Sequence, residues 1–197
     1  IREFFTTRDF LEVETPCRIP APAPEANITA QPSGEWYLHT SPELCMKRLL
    51  AAGFPKIFQI CPCFRAGERG RKHLPELTML EWYAADNDYR EMMNQCESMI
   101  QWIARQIGIG KDLDYQQHRI NLRSPWQRMP LSEAFERFAS TSMETALREN
   151  HFDELLAMEI EPNLGLHRPV FIYDYPAACG ALARLKPDDS RLTERFE

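Results

Sequence analysis

Two strand-like runs, "KIFQICPCFR" (Lys56–Arg65) and "ELTMLEWYAA" (Glu76–Ala85), bracket a stretch that carries Arg69, Arg71, Lys72 and His73, with Arg65 at its threshold. Both runs are rich in aliphatic and aromatic side chains, and the pattern reads as a β-hairpin with a long cationic loop. That loop is either a solvated basic connection or a pocket for a polyanion. Arg65, anchored at a strand end, is fixed in direction, and its planar guanidinium matches phosphate oxygens in a bidentate way. On the return strand, alternation puts Glu76, Thr78, Leu80 and Trp82 on one face and Leu77, Met79, Glu81 and Tyr83 on the other. Glu81 thus falls among apolar neighbours on what is expected to be a central strand. A carboxylate there is costly unless a cation meets it, and a substrate ammonium would serve. Tyr83 shares its face. Glu43 is a second candidate, although acidic residues are common in the first turn of a helix for dipole reasons.

The remaining segments supply a frame for this hairpin. Ile1–Phe10 has helical spacing of Ile1, Phe4 and Phe5, and "FLEVETP" alternates as a short strand stopped by Pro16. "CRIPAPAPEANITAQPSGE" holds four prolines and is expected to be loop or extended chain, followed by a strand in "EWYLHT". Ser41 and Pro42 are expected to be the N-cap and first residue of a helix closed by Gly53. From Asp88 to Ile107 the apolar residues Tyr89, Met92, Met93, Cys96, Met99, Ile100 and Ile103 keep a helical period, ended by Gly108. A Ser132-led helix, a short helix in "FDELLAMEI" and a buried strand in "PVFIYDYP" follow, and "DDSRLTERFE" runs to the end. The pattern predicts an α+β fold with an antiparallel sheet, in a single domain over residues 1–197.

Composition narrows the function classes. A chain of 197 residues with 44% hydrophobic and 26% charged residues is of globular type, and no apolar run nears the roughly 20 residues of a spanning helix. A net charge of −6 argues against a nucleic-acid coat, so the local basic cluster suits a small anionic ligand. Six scattered cysteines in a chain of this length point to a reduced, cytoplasmic setting. Cys61 and Cys63 are too tightly spaced for the usual zinc pattern and read as strand cysteines; no metal site is expected within the chain. Ile1 opens the chain without an initiator Met or a signal-peptide pattern, which suggests a trimmed or missing start.

These residues carry a family resemblance. "RDFLEVETP" (Arg8–Pro16) resembles motif 1 of class II aminoacyl-tRNA synthetases, and Phe64–Tyr83 resembles motif 2 of the lysyl/aspartyl/asparaginyl group. "TSPELCMKRLLAAGF" and "IFQICPCFR" are similar to the lysyl branch. "TSPE", "MKRLL" and "TMLEWY" look most like the synthetase paralogues, lacking an anticodon domain, that ligate a lysine-like residue to elongation factor P. Lysyl-tRNA synthetases usually have alanine at the Ser41 position and leucine at Trp82. The resemblance implies a class II synthetase-like antiparallel sheet flanked by helices. It implies an ATP-dependent ligase that activates lysine or β-lysine as an adenylate and transfers it to a lysine of elongation factor P. In that reading Arg65 is catalytic, holding the ATP α-phosphate. Ser41, Pro42, Glu43, Glu81 and Tyr83 bind the amino acid, with Glu43 and Glu81 meeting its ammonium groups. Ala66, Gly67, Glu68, His73, Leu74 and Leu77 complete the ATP site with Arg65. Pro16 and the motif 1 helix imply a homodimer interface, and Mg²⁺ bridges the phosphates.

Departures from the family pattern shape the alternatives. Ala66-Gly67 replaces the usual Asn-Glu after the motif 2 arginine, with Glu68 one place late. Leu74 stands for a polar ATP contact, and Leu77 for the aromatic residue under adenine. The chain stops at Glu197, before the family's late acidic residues and glycine-rich motif 3, so it is expected to be either part of a longer protein or a decayed paralogue. The other readings are a lysyl-tRNA synthetase core charging tRNA-Lys, and a non-catalytic synthetase-like binding module.

Overall fold

The structure, a computed structural model, describes residues 1–24, 28–70 and 72–197. The chain divides into two compact units, Ile1–Asp86 and Asn87–Glu197. In the first, helix α1 (Arg2–Thr6) leads into strand β1 (Leu11–Glu12), which pairs in parallel with β5 (Lys56–Phe64). β5 pairs in turn with β6 (Glu76–Ala84) along nine antiparallel residue pairs, from Lys56↔Ala84 to Phe64↔Glu76. The hairpin expected from sequence therefore forms with both strands at nearly their full predicted length.

β5 and not β6 is the central strand of this three-stranded sheet. Among the described residues β6, and with it Glu81, is paired on one side only, by β5; alternation along a strand reports which residues share a face and says nothing of how many neighbours the strand has. One face of the hairpin is closed by α1. Phe5 stacks on Phe58 at 4.8 Å and lies tilted against Trp82 at 5.5 Å, which makes the motif 1 helix a lid over the sheet's apolar side. The opposite face carries Gln59, Cys61 and Cys63 of β5 with Met79, Glu81 and Tyr83 of β6, and α2 (Glu43–Ala51) packs against both strands.

The proline-rich segment expected to be loop contains two short strands, β2 (Arg18–Ile19) and β3 (Gln31–Ser33). Both pair antiparallel with β4 (Trp36–Leu38), because a proline needs no ladder bond from its own nitrogen at a sheet edge. α2 starts one residue later than expected, at Glu43. Ser41 Oγ still accepts a hydrogen bond from the Glu43 amide at 3.0 Å and so satisfies one of the free donors of the first turn. Gly53 follows the helix at φ +97°, a conformation that favours glycine.

The second unit is built on α3 (Tyr89–Gln106), started by a capping box in which Asp88 accepts from the Arg90 and Glu91 amides and Glu91 accepts from the Asp88 amide. Tyr89, Met93 and Ala104 of α3 pack with Trp126 and Phe171, whereas Ile100 is exposed. The strands β7 (Asp112–Tyr115) and β8 (His118–Asn121) form a hairpin. β9 (Gln127–Pro130), β10 (Val170–Pro176) and β11 (Leu192–Phe196) form a sheet, with β9 parallel and β11 antiparallel to the central β10. α4 (Leu131–Phe138) begins directly after Pro130, so Ser132 lies within the helix and does not cap it. α5 (Met143–Arg148) and α6 (Phe152–Leu155) bury Ala146 and Phe152 in the core with Phe135, Ile160 and Tyr175. The fold is α+β, with mixed sheets whose longest pairing is antiparallel.

Candidate active site

Glu81 is the centre of the best-formed polar cluster in the first unit. Its Oε2 accepts from Ser41 Oγ at 2.7 Å, and its Oε1 accepts from the Tyr83 hydroxyl at 2.5 Å. Ser41 is delivered by the turn before α2, and Tyr83 lies two residues along β6 on the same face. Burial pushes the Glu81 carboxyl above the usual carboxylate range, and the Tyr83 and Ser41 hydrogen bonds oppose that shift. Burial, then the neighbouring Glu81, pushes the Tyr83 phenol up as well. Among the described residues no Lys or Arg forms an ion pair with Glu81. Glu43 is occupied: Lys47 Nζ, one helical turn on, reaches its Oε1 at 2.5 Å. Pro42 is buried at the start of α2.

Arg65 lies where β5 ends. Its backbone is tied across the hairpin by Arg65 N donating to Pro75 O at 2.9 Å. Its side-chain Nε is buried without a hydrogen-bond partner, and its only ion pair is with Glu68 at 4.0 Å, among the described residues. A guanidinium so loosely held retains donors for an incoming anion. The Ala66 amide donates to Thr29 O at 2.8 Å, and Gly67 turns at φ +79°. His73 and Leu74 are exposed, the latter at 63%, and Leu77 is half-buried. Arg69 and Lys72 are likewise exposed, and Arg71 lies outside the described residues. Pro16 is exposed just beyond β1. The structure thus joins Ser41, Glu81 and Tyr83 directly, sets Glu43 beside them in the first turn of α2, and puts Arg65 with Glu68 at the other end of the hairpin.

Two neighbours escaped the sequence reading. Gln59 sits opposite Glu81 in register, is 2% exposed, and has neither amide atom hydrogen-bonded. Counting back across the hairpin would have found it. His39, fully buried, meets Cys61 and Cys63, a contact no local pattern announces. Burial raises both thiols, that of Cys63 to about 12.

Comparison with known proteins gives this arrangement a family. The family model for class II tRNA synthetases (D, K and N) matches residues 1–197. The chain is 37% identical over 220 aligned positions to a Klebsiella pneumoniae protein named elongation factor P–(R)-β-lysine ligase, covering all of this chain and 65% of that protein. Proteins of the same name from Pseudoalteromonas translucida (38% identical, 65% covered) and Vibrio atlanticus (34%, 66%) match over the whole chain too. The chain therefore spans about two thirds of the length of these relatives. With its motif 1 helix over the sheet and its motif 2 hairpin presenting Arg65 and Glu81, the chain belongs to the class II tRNA synthetase family of the D, K and N type.

Proposed function

We propose that the chain carries the amino-acid and α-phosphate sites of an ATP-dependent ligase that activates lysine or β-lysine and transfers it to a lysine of elongation factor P. The observation that carries this reading is Glu81, a desolvated carboxylate steadied by two hydroxyl donors and in no ion pair among the described residues, with Lys47, held by Glu43, acting on it only at longer range. A substrate ammonium completes that site at little reorganisation cost. Ser41 favours the elongation-factor branch over the lysyl-tRNA synthetase branch, because an alanine there has no hydroxyl to give Glu81. The names of the relatives agree with that choice.

In the reaction so read, a substrate carboxylate oxygen attacks the ATP α-phosphorus, and pyrophosphate leaves. Arg65 stabilises the charge that develops on the α-phosphate oxygens. The acceptor lysine amine then attacks the activated carbonyl, and AMP leaves. Ala66, Gly67, Glu68, His73, Leu74 and Leu77 line the nucleotide, and Pro16 lies in a homodimer contact. No group of three carboxylates stands together among the described residues, so Mg²⁺ is assigned no residue and no step. The two compact units are read as parts of one catalytic domain, acting in the cytoplasm; among the described residues no helix is long and apolar enough to cross a membrane.

ATP–pyrophosphate exchange tests the assignment. Exchange dependent on lysine or (R)-β-lysine is expected, falling about 100- to 1000-fold in Arg65→Ala; an unchanged rate in that variant removes Arg65 from its role. A mass increase on elongation factor P without charging of tRNA-Lys supports the acceptor, and the reverse pattern assigns the chain to tRNA charging.

A further inference from the structure

His39, Cys61 and Cys63 stand as a triangle of donor atoms on the hairpin face that also carries Glu81. Cys61 Sγ and Cys63 Sγ are 4.0 Å apart, and His39 Nε2 is 4.0 Å from the first and 3.9 Å from the second. The centre of a triangle with those sides lies about 2.3 Å from each corner, the length of a metal–thiolate bond. All three side chains are buried: His39 and Cys63 at 0% exposure and Cys61 at 6%. The i, i+2 spacing on a strand holds both sulfurs on one face, and the chain leading out of β4 delivers the imidazole from a different sheet.

We propose that His39 Nε2, Cys61 Sγ and Cys63 Sγ form a three-coordinate site for a thiophilic monovalent d¹⁰ cation, Cu(I) being the cellular one. Donor chemistry separates this from the common alternatives. Zn(II) closes its structural sites with a fourth donor, whereas the group contains three His, Cys, Asp or Glu donors among the described residues. The next heteroatom at hand is soft: Met79 Sδ lies 4.0 Å from Cys63 Sγ. Mg²⁺ and Ca²⁺ require oxygen ligands and are excluded by the donor set. Binding involves no change of oxidation state. Each coordinating thiol gives its proton to solvent as the metal–sulfur bond forms. His39 gives up its 2.7 Å contact with the Pro62 carbonyl, and the ring proton then resides on Nδ1, which is buried and unpartnered in either tautomer.

The test is an anaerobic titration of the reduced chain with Cu(I) delivered from its bicinchoninate complex. X-ray absorption on the loaded protein provides the coordination shell. One tightly held equivalent is expected, with two sulfurs near 2.3 Å and one nitrogen, and with affinity lowered more than about 100-fold in Cys63→Ser and in Cys61→Ser. Cys45→Ser and Cys96→Ser, outside the triangle, are expected to bind as the parent does. Far-UV circular dichroism identifies any variant that fails to fold, and Met79→Leu, nearly volume-conserving, then tests the soft surround through altered Cu–S distances. Absence of a tight equivalent, or equal affinity in the folded Cys61→Ser/Cys63→Ser double variant, overturns the site. Preferential binding of Zn(II) in direct competition overturns its assignment to Cu(I).

Discussion

Glu81 and Asp174 are both half-buried carboxylates that accept a hydrogen bond from a tyrosine hydroxyl, and of the two only Asp174 is in an ion pair among the described residues. Asp174 Oδ2 meets Lys186 Nζ at 2.6 Å and its Oδ1 accepts from Tyr89 at 2.9 Å. Glu81 accepts from Tyr83 and Ser41, both neutral. Asp174 completes its interactions within the fold and welds β10 to the chain before β11. Among the described residues Glu81 has no such ion pair, and burial raises its carboxyl above the usual range. In the proposed function a substrate ammonium supplies the positive charge and offsets the desolvation cost.

Glu81→Gln is the most direct way to break that contrast. Ammonium binding is expected to fall about 100-fold or more, measured as the KM for lysine or β-lysine in pyrophosphate exchange. Stability is expected to move the other way. The folded-state carboxyl titrates above its usual 4.5 because burial disfavours its charge. Its contribution is therefore most favourable below that value and is lost as pH rises through the elevated one. At neutral pH the Gln variant should melt no lower than the parent, and its melting temperature should decline less between pH 4 and pH 8. A clear loss of stability at pH 7 would make Glu81 a structural group like Asp174.

The converse variant is Lys186→Met. It strands Asp174 in a site where both partners are mostly covered, with side-chain exposures of 15% and 12%. A loss of about 2–4 kcal/mol in unfolding free energy is expected, read by urea denaturation. Adding Asp174→Asn, which keeps a side chain tolerant of the φ +62° found there, should restore most of it. Unchanged stability in the single variant would mean that water screens the pair.

The difference between the two carboxylates was only half legible in the sequence. Alternation in "ELTMLEWYAA" placed Glu81 and Tyr83 together, and the hairpin and α3 followed from periodicity that tertiary packing reinforced. The Lys186–Asp174 pair was not visible, because it joins strand β10 to an irregular segment twelve residues on. β7–β8 was missed for a local reason: its turn uses Gln116 and Gln117, at φ +46° and +68°, where glycine or asparagine would have signalled a hairpin. β9 is four residues long with one buried side chain, so it exists mainly through its partner β10. The His39 triangle and Gln59 depend on pairing across strands, which the one-dimensional pattern reports only once a register is known.

The smallest expected effect is the one that most sharpens the comparison. Ser41→Ala removes one neutral donor from Glu81 and leaves the carboxylate and the Tyr83 bond in place. A single hydrogen bond to a charged group contributes about 1.5 kcal/mol, so the KM for the amino acid should rise roughly 10-fold. That bond also favours the ionised form, and its loss moves the Glu81 carboxyl further up. The acidic limb of the pH profile for kcat/KM should therefore shift to higher pH in Ser41→Ala, and shift the same way in Tyr83→Phe. The same limb should vanish in Glu81→Gln, which keeps nothing to titrate at that position. If Ser41→Ala raises KM with no movement of the acidic limb, Ser41 acts by shaping the pocket, and Glu81 is not the group whose ionisation receives the substrate.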